Sequence, residues 1–239
     1  MMKTLIRFWK DFVNLFFPRL CLACDTPLPH EESFICLDCQ LTLPATDFHL
    51  NKKNLLTEKF DGRLTIETGV ALFYFTKMSR TQHLIHKIKY EDKREAAFEL
   101  GKMLGQKIQT AAHFKDIDCI IPVPMHHRKE ILRGYNQAEV FAEGLNEMTS
   151  IPIRTDVLKK IKMTETQTRK NRLERLRNTE DIFDCTPPSN WAKSMSNKHV
   201  LLVDDVLTTG ATLEACAMAI LEKTPDVKIS IATIAFAKQ

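Results

Sequence analysis

The sequence predicts an α/β domain, a parallel sheet with helices on both faces, over residues 63–239. Three features predict it: short apolar runs without strand-type alternation, helical periodicities of ten or more residues between them, and a strand-to-loop-to-helix unit near the C-terminal end. The chain has 239 residues, 44% hydrophobic and 27% charged, enough length for a core and too apolar a composition for disorder. Its longest charge-free apolar stretch, Ile229 to Ala237, falls well short of the roughly 18–20 residues that span a bilayer.

Taken in order, the elements justify that class. Residues 3–17 place Leu5, Phe8, Trp9, Phe12, Leu15 and Phe16 at spacings of three and four, an amphipathic helix stopped by Pro18. Its aromatic face is expected to pack on the rest of the protein or on a partner subunit, with a membrane surface as the alternative, and 1–18 forms a unit. Residues 19–62 hold a four-cysteine segment and then, from about 40, a linker-like polar stretch containing Pro44. Beyond it, 66–75 (IETGVALFYF) reads as a strand, 81–90 and 94–111 as helices, and 118–123 (DCIIPV) as a short strand. A helix is expected over 136–148, a buried strand over 200–203 (VLLV), a helix over 211–223 and a last strand over 227–237.

Cysteine usage is uneven. Cys21 and Cys24 form one C-x2-C pair, Cys36 and Cys39 another, while Cys119, Cys185 and Cys216 stand alone. Two residues between thiolates let one tight turn aim both sulfurs at one ion, and two such turns supply the tetrahedral set of a closed structural zinc site. The first 20 residues are interrupted by Arg7, Lys10 and Asp11 and show no secretory signal, so a reducing, cytoplasmic location and metal binding are expected rather than disulfides.

Charge is concentrated. The net charge is +4, but Lys159 to Asn178 alone carries eight Lys/Arg against Glu165 and Glu174, leaving the remainder at −2. An anionic partner, a polyphosphate or a nucleic acid, suits that segment, as does a plain solvated face. Lys87 and Lys89 either extend the same positive rim or are solvated surface.

Glycine is scarce, with seven in the chain, and neither G-x-G-x-x-G nor a G-x4-G-K-[ST] loop can be assembled from them. Phosphate chemistry must therefore use another device, and Val200 to Leu213 (VLLVDDVLTTGATL) supplies one. The strand ends in Asp204 and Asp205, and a loop from Val206 to Gly210 feeds a helix beginning near Ala211. Such a unit gathers backbone N–H groups and the positive helix end at one point. Thr208, Thr209 and Thr212 add hydroxyls, and Gly210 permits close approach or positive φ. The two acids, at the carboxyl end of a strand in an open sheet, suit a ribose diol and hydrated Mg2+.

Two acids followed by T-T-G-A-T resemble the phosphoribosyl pyrophosphate (PRPP) motif of type I phosphoribosyltransferases. Together with the N-terminal apolar helix, the four cysteines, Ile121-Pro-Val-Pro124, Arg133-Gly-Tyr-Asn-Gln137 and Thr166-Gln167 followed by Arg172 and Asn178, the pattern resembles the ComF/GntX family, in which a zinc-binding segment precedes a phosphoribosyltransferase domain. The resemblance implies the type I fold, PRPP and Mg2+ binding along Asp204, Asp205, Val206, Leu207, Thr208, Thr209, Gly210, Ala211 and Thr212, and a link to natural competence and the uptake of single-stranded DNA. It puts pyrophosphate near Arg128 and Arg133, with Asp204, Asp205 and Arg133 as the catalytic set, structural zinc on Cys21, Cys24, Cys36 and Cys39, and a basic lid over 159–178. The acceptor of a transferred phosphoribosyl group and the oligomeric state stay open. The alternative is a non-catalytic module that binds single-stranded DNA or a competence helicase and uses the PRPP-type site for regulation.

Overall fold

The computed structural model describes residues 16–29, 34–161, 182–186 and 195–238, with the side chains of 127–129 and 182 outside that description. The expected N-terminal helix therefore lies, Phe16 and Phe17 aside, outside the described residues, as do 162–178 of the basic segment. Among the described residues no helix is long and apolar enough to cross a membrane.

Among the described residues four parallel strands form the main sheet: β1 (Gly69–Phe75), β2 (Cys119–Pro122), β5 (His199–Leu207) and β6 (Lys228–Ala237), in the order β1-β6-β5-β2. Each parallel step needs a crossover on a face of the sheet, which is why the strands are separated by helices. Those helices are α3 (Arg80–Tyr90) and α4 (Arg94–Gln109) before β2, α5 (His127–Arg133) and α6 (Gln137–Thr149) after it, and α7 (Ala211–Lys223) between β5 and β6. Both sheet edges are capped: Ala45 bridges Phe73 beside β1, and Ile153 bridges Ile120 beside β2.

Alternation along the strands sends side chains to two apolar layers. Leu201 and Val203 share one with Leu84 and Ile88 of α3, Leu100 and Leu104 of α4 and Phe141 of α6. Val200 and Leu202 share the other with Leu213, Cys216 and Ile220 of α7. Within the first layer α4 and α6 lie against each other at Gly101 and Gly144. A Cβ on Gly144 would strike the Phe98 carbonyl, and one on Gly101 the Phe141 carbonyl.

The structure departs from the sequence expectations in four places. The stretch read as a linker from 40 to 62 is structured: α1 (Leu37–Thr42) runs into it, a 3-10 turn spans Phe48–Leu50, and α2 (Leu55–Glu58) is capped by Asn54, whose Oδ1 accepts from the N–H groups of Leu56 and Thr57. Its spaced apolar residues, Leu43, Phe48, Leu56 and Phe60, are all buried on the sheet. Residues 127–133, for which no element is expected, form α5. The strand expected to stop at Val203 continues through both aspartates to Leu207, because pairing of Asp204 with Thr233, Val206 with Ala235 and Leu207 with Phe236 outweighs the weak strand preference of acids. A small antiparallel pair, β3 (Leu158–Ile161) with β4 (Ile182–Cys185), was not foreseen. It packs Leu158, Phe183 and Cys185 into the layer of α7.

Candidate functional site

Two features converge at the carboxyl ends of β5 and β2: a phosphate-sized turn and a pair of acids. The turn is Thr208 to Gly210, shorter than the loop read from sequence because β5 takes up Val206 and Leu207. Gly210 caps α7 at φ +86, in the left-handed region, and a Cβ there would also meet the buried Phe60 ring at 3.0 Å. Glycine is thus required twice over, by conformation and by space. The Thr209 hydroxyl accepts from the Ala211 N–H at 3.4 Å. An open cleft is lined by Asp204, Val206 and the run from Leu207 through Leu213. It faces the start of α7, where the first N–H groups have no helical partner and the dipole favours an anion.

The acids beside it are not equivalent. Asp204 is half-buried, and its Oδ1 accepts from the Asp205 N–H at 2.8 Å. Burial, and then the neighbouring Asp205 charge, push its carboxyl up to about 7, against the pull of that N–H and of the Lys89 and Lys160 charges. Asp205 is held by Lys89, whose Nζ lies 2.9 Å from Oδ2. Carboxylates paired in this way offer hard oxygen ligands to a hydrated divalent cation and acceptors to a diol.

The loop from Arg133 to Gln137 is fixed from three sides. Gly134, at φ +80, ends α5 and its N–H donates to Glu130 O at 2.7 Å. The buried Tyr135 donates its hydroxyl to Ile88 O at 2.7 Å, tying this loop to the end of α3. Asn136 caps α6 through the Ala138 N–H and donates to Val123 O, anchoring the helix to the end of β2. Arg133 reaches Gln137 Oε1 at 3.1 Å and lies over the Tyr90 ring, 5.1 Å from its centroid. Arg128 stands in α5, and its side chain is outside the description. Lys89 was missed as a site residue. The sequence shows it only as one cation in the last turn of α3, and its partner is 116 positions away. Lys87 is not solvated surface either: it is 7% exposed and paired with Asp25.

Cys21, Cys24, Cys36 and Cys39 form the second centre, their sulfurs all within 4.8 Å of one another. Tetrahedral thiolates at a Zn–S distance of about 2.3 Å sit about 3.8 Å apart. Cys24 and Cys36 sulfurs are 3.6 Å apart, and the Cys36 N–H donates to Cys21 Sγ at 3.3 Å, so the set fits a metal ion. Burial raises the Cys24 thiol, but hydrogen bonds with the Thr26 hydroxyl and backbone and with the neighbouring thiols outweigh it and bring it down to about 6. Burial first, and then the other three cysteines, push Cys39 up. Helix α3 grips this centre along one edge: Arg80 donates to Asp38 Oδ2 at 2.7 Å and to Thr42, and His83 and Lys87 both reach Asp25.

The parallel sheet flanked by helices is the fold of a phosphoribosyl transferase domain, and residues 133–239 match the phosphoribosyl transferase domain. The chain is moreover a homologue of proteins named for competence and DNA utilization, which bears out the family resemblance of its motifs. It is 31% identical over 133 residues to competence protein F of Haemophilus influenzae, covering 54% of this chain and 57% of that protein. It is 27% identical over 219 residues to DNA utilization protein YhgH of Escherichia coli O157:H7, covering 85% and 91%. With competence protein ComFC of Bacillus subtilis it shares 34% over 129 residues, 54% of this chain and 47% of that one. The chain thus spans little more than half of the Haemophilus protein that it matches.

Proposed function

We propose that this protein binds PRPP with Mg2+ at the end of β5 and transfers its phosphoribosyl group, in a process connected with the handling of DNA. The observation that carries the reading is the junction of the half-buried Asp204–Asp205 pair with the open turn from Thr208 to Gly210 at the start of α7. The 5′-phosphate would rest on the turn and the first N–H groups of α7, along Val206 to Thr212. The ribose diol and hydrated Mg2+ would be held by Asp204 and Asp205, with the cation offsetting the charge of the pyrophosphate. Arg133 and Arg128 would face the pyrophosphate. In the transfer, the C1′–O bond to pyrophosphate breaks as the bond from C1′ to the acceptor forms, and the acceptor's proton leaves to solvent.

The basic segment 159–178 suits a cover for such a site. Its described start lies in β3, which pairs with β4 as far as Ile161 and Ile182, and the Lys160 charge there acts on Asp204. A cationic cover over PRPP would exclude water from an oxocarbenium-like transition state. The four cysteines would hold structural zinc, which leaves no open coordination position.

Calorimetry with PRPP and Mg2+ tests the site. The wild type should bind, and the variant carrying Asp204→Ala and Asp205→Ala should not; unchanged binding by that variant refutes the assignment. Pyrophosphate release in a screen of nucleobases and amines tests transfer.

The names of the relatives favour one second reading, a non-catalytic module that grips single-stranded DNA or a competence helicase with its basic surface. A steep fall of DNA affinity with salt, lost on neutralising Arg169, Lys170 and Arg172, would support it, and no binding at low salt removes it.

A further inference from the structure

We propose that Arg63 is a positioning residue for the phosphate-binding turn: by pairing with Glu214 it neutralises a carboxylate that would otherwise oppose a phosphate at the start of α7. The inference rests on the reading of Thr208 to Gly210 as the seat of the 5′-phosphate. Arg63 stands 151 positions before Glu214 and outside the 133–239 stretch that matches the phosphoribosyl transferase domain, so neither residue points to the other in the sequence.

Glu214 is the acid in the first turn of α7, and its N–H donates to Gly210 O at 2.8 Å, closing that turn. A helical side chain leans toward the N-terminus of its helix, so residue i+4 lies over residue i. Glu214 and Gly210 therefore share one face of α7, and both meet the segment that follows α2. Gly210 faces the Phe60 ring, and Glu214 Oε2 accepts from Arg63 Nη1. The Glu214 side chain is 14% exposed. A carboxylate there stabilises the empty helix through its dipole, the same interaction that a bound phosphate uses. Left uncompensated, two anions would share one positive helix end. A guanidinium on Glu214 resolves that conflict in favour of the phosphate, and partial burial limits the screening of the pair by solvent.

Arg63 is itself built into place. Its Nη2 donates to Lys59 O, its guanidinium lies 5.7 Å from the centroid of the Phe60 ring, and its N–H donates to Phe60 O at 3.0 Å. Lys59 in turn donates to Ala237 O at 3.0 Å, at the end of β6, and Phe60 is fully buried. One short stretch of chain, 59–63, thus carries both the ring that packs on Gly210 and the cation that answers Glu214.

The test measures the binding of ribose 5-phosphate, and of PRPP with Mg2+, by calorimetry on the full-length protein in three forms: wild type, Arg63→Met, and Arg63→Met combined with Glu214→Gln. Arg63→Met should weaken both ligands about three- to thirtyfold, and the deficit should shrink as salt rises. Adding Glu214→Gln removes the exposed charge and should restore affinity to within about twofold of wild type. Equal affinity of Arg63→Met and wild type overturns the proposal. A loss that Glu214→Gln fails to restore also overturns it, since an ion pair that only tied the two segments together would stay broken in the double variant. Ribose 5-phosphate binding without PRPP binding overturns the transferase reading, while the same comparison of variants still decides the role of Arg63. A wild type that binds neither ligand overturns both.

Discussion

Lys89 Nζ lies 2.9 Å from Asp205 Oδ2, with the two side chains 24% and 15% exposed. A cation thus rests on the acid pair at the place where a divalent ion would act. Replacing it by Lys89→Met leaves a mostly buried carboxylate without its partner, at a cost of about 1–2 kcal/mol. A lower Tm is expected, and millimolar Mg2+ should restore more of it in the variant than it adds to the wild type, because the ion substitutes for the missing charge. Thermal melts with and without Mg2+ check this, and identical melting of both proteins would contradict it.

The protonation of Asp204 gives the proposed site a pH dependence. Its carboxyl, raised to about 7 by burial and by Asp205, keeps a proton in the folded protein at pH values where the unfolded chain has lost it. Its stabilising share is complete below the ordinary carboxylate range and is lost as pH rises through about 7. Ligand binding runs the other way, since a cation or diol needs the ionised form. Affinity for PRPP with Mg2+ should rise about tenfold from pH 6 to pH 8, with proton release near neutrality. Calorimetry in buffers of different ionisation enthalpy measures both, and Asp204→Asn should flatten the profile.

How far the sequence carried this reading depended on the range of the determining contacts. The helix at Ala211, the strands at Gly69 and Lys228 and the two cysteine pairs follow from local periodicity and spacing, and the structure places them there. Asp204 and Asp205 were legible as chemistry but not as strand, because pairing with β6, a segment nearly 30 positions on, decides their conformation. The β3–β4 pair joins segments some 20 residues apart across a polar stretch and leaves no hairpin signal. Lys89 and Lys87 read as surface cations until Asp205 and Asp25 are seen opposite them.

The contact between α4 and α6 sets a steric test. Gly144 faces the Phe98 carbonyl so closely that a methyl group cannot enter without parting the helices, and backbone gives way less readily than a side chain. Gly144→Ala should cost about 2–3 kcal/mol although alanine is the better helix former. Denaturant unfolding gives the value. Stability equal to or above that of the wild type would show that the helices can separate at no cost.

Removal of metal from the four cysteines should be felt at both ends of α3. Cys21, Leu22, Ile35 and Cys39 are buried in the same apolar layer as Val70, Leu84 and Ile88, so loss of the ion opens a core rather than an appendage. Four thiolates around Zn2+ carry a net charge of −2, which Arg80, 3.8 Å from Cys39 Sγ, helps to offset. Arg80, His83 and Lys87 bind the cysteine segment while Lys89, on the same helix, holds Asp205. A loosened α3 therefore costs overall stability and also misplaces Lys89. Purified protein should contain about one zinc ion per chain. Chelation, or Cys36→Ser, should lower Tm and weaken PRPP binding together. Metal analysis, melting and PRPP calorimetry on the same samples decide it: stripped protein with unchanged Tm contradicts a structural role, and lowered Tm with unchanged PRPP affinity contradicts the coupling through α3.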